Sequence, residues 1–132
     1  FVKMPSEINF ENAKKLMDIA IKYEINAFII SNLVKNRNNP NIDSEELSKF
    51  HDKKGNFSGK PVTELSLNLI KQSRDAYGEK IVLVGCGGIF CYEDAKSYFD
   101  AGADLVQLIT GMVFEGPQLV GQMLKSLAET TD

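Results

Sequence analysis

The sequence predicts an α/β fold built on a parallel sheet, and three observations predict it. Short apolar runs at residues 27–30, 81–89 (IVLVGCGGI) and 105–111 (LVQLITG) break at polar or small residues, as buried strands do at their ends. Stretches with helical spacing of apolar residues separate these runs. Strands that alternate with amphipathic helices imply parallel pairing through right-handed crossovers. The order is βαβ, a long loop, then αβαβα, so there are four βα units. Four is half of an eight-stranded (β/α)8 barrel.

Residues 1–4 (FVKM) are strand-like and stop at Pro5. Asn9 or Ser6 can then cap a helix whose apolar positions are Phe10, Ala13, Leu16, Met17, Ala20 and Ile21, with Glu11, Lys14, Lys15 and Lys22 on its polar face. Residues 27–30 (AFII) form a continuous apolar run ending at Ser31 and Asn32, as expected of a strand covered on both faces. Residues 33–61 turn polar and carry the lone histidine, His51; so long a connection is more often functional or mobile than decorative. Within it, 44–50 is read as a helical turn. Thr63 starts a helix with Leu65, Leu69, Ile70, Ala76 and Tyr77 inward, closing at Gly78. Residues 92–101 form the next helix, with Ala95, Tyr98 and Phe99 inward and Gly102 at its C-terminal cap. After the fourth strand, 105–109, a short helical turn is expected at 111–116. Pro117 then suits the first turn of a last helix lined by Val120, Met123, Leu124 and Leu127.

Composition excludes several classes of function. With 43% hydrophobic and 25% charged residues and a net charge of −3, the chain has ordinary globular composition and no basic footprint for nucleic acid. No apolar run approaches a membrane span. Cys86 and Cys91 lack companion ligands, so no metal site is expected; Cys86 is read as an apolar strand residue and Cys91 as a loop thiol. The Asn56-Phe57-Ser58 match to a glycosylation acceptor stands without a secretory signal and is taken as chance. The abrupt apolar start is expected of a chain cut inside a larger domain.

Two strand ends carry the functional signal. Gly87 and Gly88 can adopt dihedrals closed to other residues and leave their N–H groups uncovered, while Thr110 and Gly111 add a hydroxyl and further amides one helix later. Divided grips of this kind hold phosphate at the last two loops of (β/α)8 barrels.

The order of several short motifs is highly specific. These are Val2-Lys3-Met4 with Pro5, Ile30-Ser31-Asn32, Phe57-Ser58-Gly59-Lys60-Pro61, Gly85-Cys86-Gly87-Gly88-Ile89, and Ala101-Gly102-Ala103-Asp104-Leu105-Val106-Gln107-Leu108 running into Phe114-Glu115-Gly116-Pro117. On these residues the chain resembles the C-terminal half of dihydroorotate dehydrogenase, class 2, the quinone-linked group, over essentially all 132 residues. The resemblance implies that residues 1–132 are a partial catalytic domain, barrel strands five to eight with their helices. It implies FMN as cofactor, dihydroorotate and orotate as substrate and product, quinone as electron acceptor, and a place in pyrimidine (UMP) biosynthesis. Lys3 matches a flavin-contacting lysine whose fixed charge would stabilise negative charge at the pyrimidine end of the flavin. Ser31 matches a flavin contact, Gly59 a glycine packed near the flavin, Gly88 the phosphate-loop glycine, and Ile109 with Thr110 the pair at the second phosphate loop. Asn32 matches a residue whose amide reads the alternating donors and acceptors of the orotate ring. Leu33 departs from the pattern: most members have a substrate-binding threonine there, and leucine cannot replace its hydrogen bond. No residue matches the family's catalytic base serine, which is expected in the first half of the barrel.

The resemblance also implies peripheral attachment of the full-length protein to the inner membrane through a region before Phe1, with this segment carrying no targeting signal, cytoplasmic if bacterial. Two other readings stay open. One is another FMN- or phosphate-binding barrel enzyme, such as a relative of dihydrouridine synthase or dihydropyrimidine dehydrogenase. The other is a half-barrel that binds a phosphorylated ligand or a partner chain without catalysis. An open half-barrel is further expected to self-associate through its free edges.

Overall fold

The computed structural model describes residues 1–50 and 54–129; His51 lies outside the described residues. In chain order the elements are β1 (Val2–Met4), α1 (Phe10–Lys22), β2 (Ala27–Ile30), α2 (Ser44–Lys49), α3 (Lys60–Tyr77), β3 (Val82–Cys86), α4 (Tyr92–Asp100), β4 (Leu105–Gln107), α5 (Thr110–Glu115) and α6 (Leu119–Glu129). A single 3₁₀ turn, Gly78–Lys80, joins α3 to β3.

All four strands are parallel and lie in sequence order, β1-β2-β3-β4. A sheet that steps one strand at a time in one direction winds as a barrel does, whereas a doubly wound sheet reverses its order part-way. The register brings Met4 beside Ile30, Ile30 beside Gly85, and Cys86 beside Gln107, so the carboxyl ends of the strands are level. The core is one cluster in which Met4, Phe28, Ile30 and Leu83 of the sheet meet Met17, Ile70, Tyr98 and Met123 of the helices.

The opposite end of the sheet is clamped by Arg74. Its guanidinium donates to the Gly102 and Gly78 carbonyls and to Asp104, whose carboxylate also accepts from the Leu83 N–H at 2.7 Å. The two strands that carry the glycine-bearing ends are thereby tied at their amino ends.

Several expectations change. Of the two candidate caps of α1, Asn9 does the work by accepting from the Asn12 N–H at 2.9 Å, while Ser6 is buried and donates to the Leu33 carbonyl. The third helix begins at Lys60, three residues before Thr63. Gly59 provides its non-helical entry at φ +77°, and Pro61 fits the first turn, where no N–H is required. Pro117, by contrast, lies in the turn before α6 and not in its first turn. The fourth strand ends at Gln107 because the chain turns into α5 at Thr110.

Some residues read as inward are exposed: Leu16, Ala76, Phe99, Val120, Leu124 and Leu127. On α6 the buried pair is Leu119 and Met123, one turn apart, and the helix packs this stripe on α4 and α5. Its other apolar side chains, Val120, Leu124 and Leu127, follow a second stripe that is exposed.

The long connection is not a slack loop. Val34 and Phe57 pair in an antiparallel bridge at its base, and the Glu7 carboxylate accepts from the Lys35 and Asn36 N–H groups. Arg37 stacks over the Phe57 ring and donates to the Phe50 and Gly55 carbonyls.

Candidate functional site

The level strand ends enclose a cleft of about 240 Å³, walled by Lys3 of β1, Cys86 of β3, the segments that follow β2, β3 and β4, and Val62 at the start of α3. Lys3, Ser31, Asn32, Leu33, Gly59, Gly88, Ile109 and Thr110 all line it. Every site residue expected from the sequence is therefore brought to one place, although 107 residues separate the first from the last.

Lys3 is the one charged side chain among the lining residues. It stands with Asn32 and Leu33 between this cleft and a shallower depression that Pro5, Ser6, Glu7 and Lys35 complete. Beyond β2, the Ser31 N–H donates to the Cys86 carbonyl and the Asn32 N–H to the Met4 carbonyl, which holds the turn between its two neighbouring strands. The Ile30–Ser31 peptide is cis.

Ser31 is nearly enclosed, and its Oγ lies 2.6 Å from Ser66 Oγ. Ser66 also donates to the Cys86 carbonyl at 3.1 Å, and Ser31 has two acceptors beside it, Ser66 Oγ and, at 3.5 Å, the Asn32 carbonyl. With its proton on either of these acceptors, Ser31 offers the cleft an acceptor.

Three loops meet at the other end of the cleft. Thr110 donates to Ser58 at 3.0 Å, and the rings of Phe90 and Phe114 sit 6.3 Å apart. Lys60 Nζ contacts Asp94 Oδ1 at 2.6 Å and also lies over the Phe90 ring. Asp94 accepts from the Phe90 N–H through its other oxygen. Burial works against the charge on Asp94, but the bonds from Lys60 and the Phe90 N–H outweigh it and hold the carboxyl below its usual range.

Gly88, at φ +68°, needs glycine for two reasons. Its backbone is left-handed, and a Cβ there would overlap Thr63 Oγ1 and press on the Gly59 carbonyl. A Gly88→Val change would thus disrupt packing on α3 as well as any ligand approach, so it cannot by itself isolate a phosphate contact.

Ser58, Val62, Cys86, Gly87, Leu108 and Gly111 line the cleft too. Gly87 and Gly111 were flagged by their turns. Val62 was hidden because α3 was expected to start one residue beyond it. Cys86, expected as an apolar strand residue, is only half-buried at the cleft edge; burial pushes its thiol up, and the charge of Lys3 opposes that shift. Cys91 is exposed, as a loop thiol should be.

The cleft has chemistry that suits an anionic, partly apolar ligand. Among the described residues no carboxylate lines it, one cation stands at one end, and glycine backbone with two hydroxyls stands at the other. Among the described residues no helix is long and apolar enough to cross a membrane.

Comparison with known proteins agrees with this geometry. The family model for dihydroorotate dehydrogenase matches residues 1–131. A dihydroorotate dehydrogenase (quinone) of Paraburkholderia xenovorans strain LB400 is 32% identical over 126 residues, which is 96% of this chain and 36% of the relative. The protein of the same description from Coxiella burnetii strain Dugway 5J108-111 is 32% identical over 127 residues, 96% of this chain and 35% of its own length. The chain thus spans about a third of the length of the curated relatives it matches. Among solved structures, the ligand-free DHODH of Eimeria tenella superposes with a TM-score of 0.82 at 22% identity, covering 96% of this chain and 34% of that one. The same enzyme in complex with ferulenol gives 0.80, also at 22% identity, over 98% of this chain and 34% of that one. Four parallel strands in barrel order, a cleft at their carboxyl ends, and a family match over nearly the whole length lead to one assignment: the chain belongs to the dihydroorotate dehydrogenase family, of whose fold it forms part of a barrel.

Proposed function

We propose that the chain contributes strands five to eight of a barrel that oxidises dihydroorotate to orotate with FMN and passes the electrons to quinone, in pyrimidine biosynthesis. The observation that carries this reading is the convergence of eight separately expected residues on one cleft. FMN, when bound, would supply the hydride acceptor. Gly88, Thr110 and the backbone at Ile109 would hold its phosphate, with Gly59 packed beside it. Lys3 would place positive charge against the opposite, pyrimidine end.

Asn32 would orient the substrate, since its amide can donate and accept along a pyrimidine edge. Leu33 brings no hydrogen bond to that task, and this departure is the feature that favours a different substrate on the same cofactor. The general base would come from the remainder of the barrel. Attachment to the membrane would likewise lie outside this chain.

A chimera tests the proposal. This chain would replace the matching third of the Paraburkholderia xenovorans relative, and the product should purify with flavin absorption and reduce a quinone when given dihydroorotate. A folded chimera without flavin would overturn the reading. Flavin that dihydroorotate fails to bleach would instead support the alternative of another FMN enzyme.

A further inference from the structure

Tyr98 does more than fill the core. It is fully enclosed, with 0% of its surface accessible, yet its hydroxyl reaches the Gly87 carbonyl at 2.6 Å. The space for its ring comes from Gly85: a Cβ at that position would overlap the ring. An ordinary apolar residue at 98 would pack there without touching the loop, so the phenol is what links α4 to the glycine turn.

That bond has a geometric consequence one atom pair further on. The Gly87–Gly88 peptide is trans, so its C=O and N–H point in opposite directions across one rigid plane. With the carbonyl fixed inward on Tyr98, the Gly88 N–H is turned outward, away from the core. Gly88 lines the cleft, and among the described residues its N–H has no acceptor.

We propose that Tyr98 is a positioning residue which, through its hydroxyl on Gly87, holds the Gly88 N–H towards the cleft as a donor for the phosphate of a bound flavin nucleotide. The inference rests on the phosphate assignment made above. Free rotation of the peptide would cost the site this donor, because either face of the plane could then turn outward. Burial also pushes the phenol far up its range, so Tyr98 stays a donor at every working pH.

Flavins with and without phosphate separate the two ideas. This chain, ¹⁵N-labelled and carried in the chimera described above with its flavin removed, is titrated with FMN and with riboflavin while amide shifts are followed. The unmodified chain should bind FMN more tightly than riboflavin, and the Gly88 amide should move with FMN alone. Tyr98→Phe keeps the ring and removes only the hydroxyl; it should lower the FMN-to-riboflavin affinity ratio about tenfold, the scale of one hydrogen bond to a charged group, and leave riboflavin binding unchanged. An unchanged ratio in that variant overturns the role of Tyr98. If the variant fails to fold, the unmodified chain still decides, because a Gly88 amide that stays still on FMN binding overturns the inference. Equal binding of the two flavins by the unmodified chain, or binding of neither, removes the phosphate assignment itself.

Discussion

The two glycine-bearing strand ends are built differently. The turn after β3 is held from every side by its own chain: Tyr98 from below, Val62 and Thr63 from α3, and Asp94 with Lys60 across its far end. The segment after β4 is held at few points, by Gly111 against the Ile89 carbonyl and by Thr110 against Ser58. Its apolar side chains face outward, with Ile109 at 77% and Val113 and Phe114 at 75% exposure. One half of the cleft is thus set by several side chains packed within this sheet, and the other by backbone with one hydroxyl pair and one ring contact. A ligand contact made by amides needs the first kind of support if the amides are to stay aimed.

The largest effect expected from this contrast is on turnover. Among the described residues, no side chain in the cleft is suited to act as a general base. Cys86 keeps its proton through burial, and the remaining polar groups are hydroxyls, an amide and a lysine. Loss of a positioned base costs roughly 10² to 10⁴ in rate. Stopped-flow mixing of the chain with FMN and dihydroorotate should therefore show no bleaching of flavin. Rapid bleaching by a monodisperse monomer would contradict this.

Next is the fit of Tyr98 under β3. Gly85→Ala inserts a methyl where the ring lies, and overpacking of this kind destabilises by about 1–3 kcal/mol. Urea unfolding followed by circular dichroism checks it. A midpoint equal to that of the unmodified chain would mean that the ring has room to move, and that the β3 side is less rigid than described.

A smaller loss, about 1 kcal/mol, is expected from Asp94→Asn, which weakens the bonds to Lys60 and to the Phe90 N–H. The sign of its pH dependence follows from the lowered carboxyl. A group whose folded pKa lies below the unfolded value of 3.8 adds stability above that value, and this stability is lost as pH falls through the folded one. The difference between variant and parent should be full at neutral pH and shrink only below about pH 4. A gap that closed between pH 6 and 8 would place its origin elsewhere.

The smallest effect is of opposite sign. Gly121 lies within α6 on the looser side, and a Cβ there meets nothing within 4 Å. Gly121→Ala should stabilise by about 0.5–1 kcal/mol through helix propensity alone. Thermal melting that showed a loss would reveal packing on this face.

Local pattern carried much of the fold into view. The run 27–30 is apolar throughout because both faces of β2 are covered, and Asn9 sits where a helix needs an acceptor. The site was legible in the same way, because motifs at strand ends stay at strand ends. Burial on the outer helices was less legible. Leu124 and Leu127 follow the same spacing as Met123, and a period of 3.6 cannot say which of two apolar stripes is buried.

By itself, then, the sequence determined the strand and helix order, the parallel pairing and the residue types gathered at the carboxyl ends, since these depend on periodicity and turn chemistry. Tertiary structure alone decided three things: that Ser31 shares a hydrogen bond with Ser66, that Gly85 makes way for Tyr98, and that Gly88 is turned outward through the Gly87 carbonyl. Each depends on atoms brought together from separate elements, and the direction of a hydrogen bond exists only once both partners are in place.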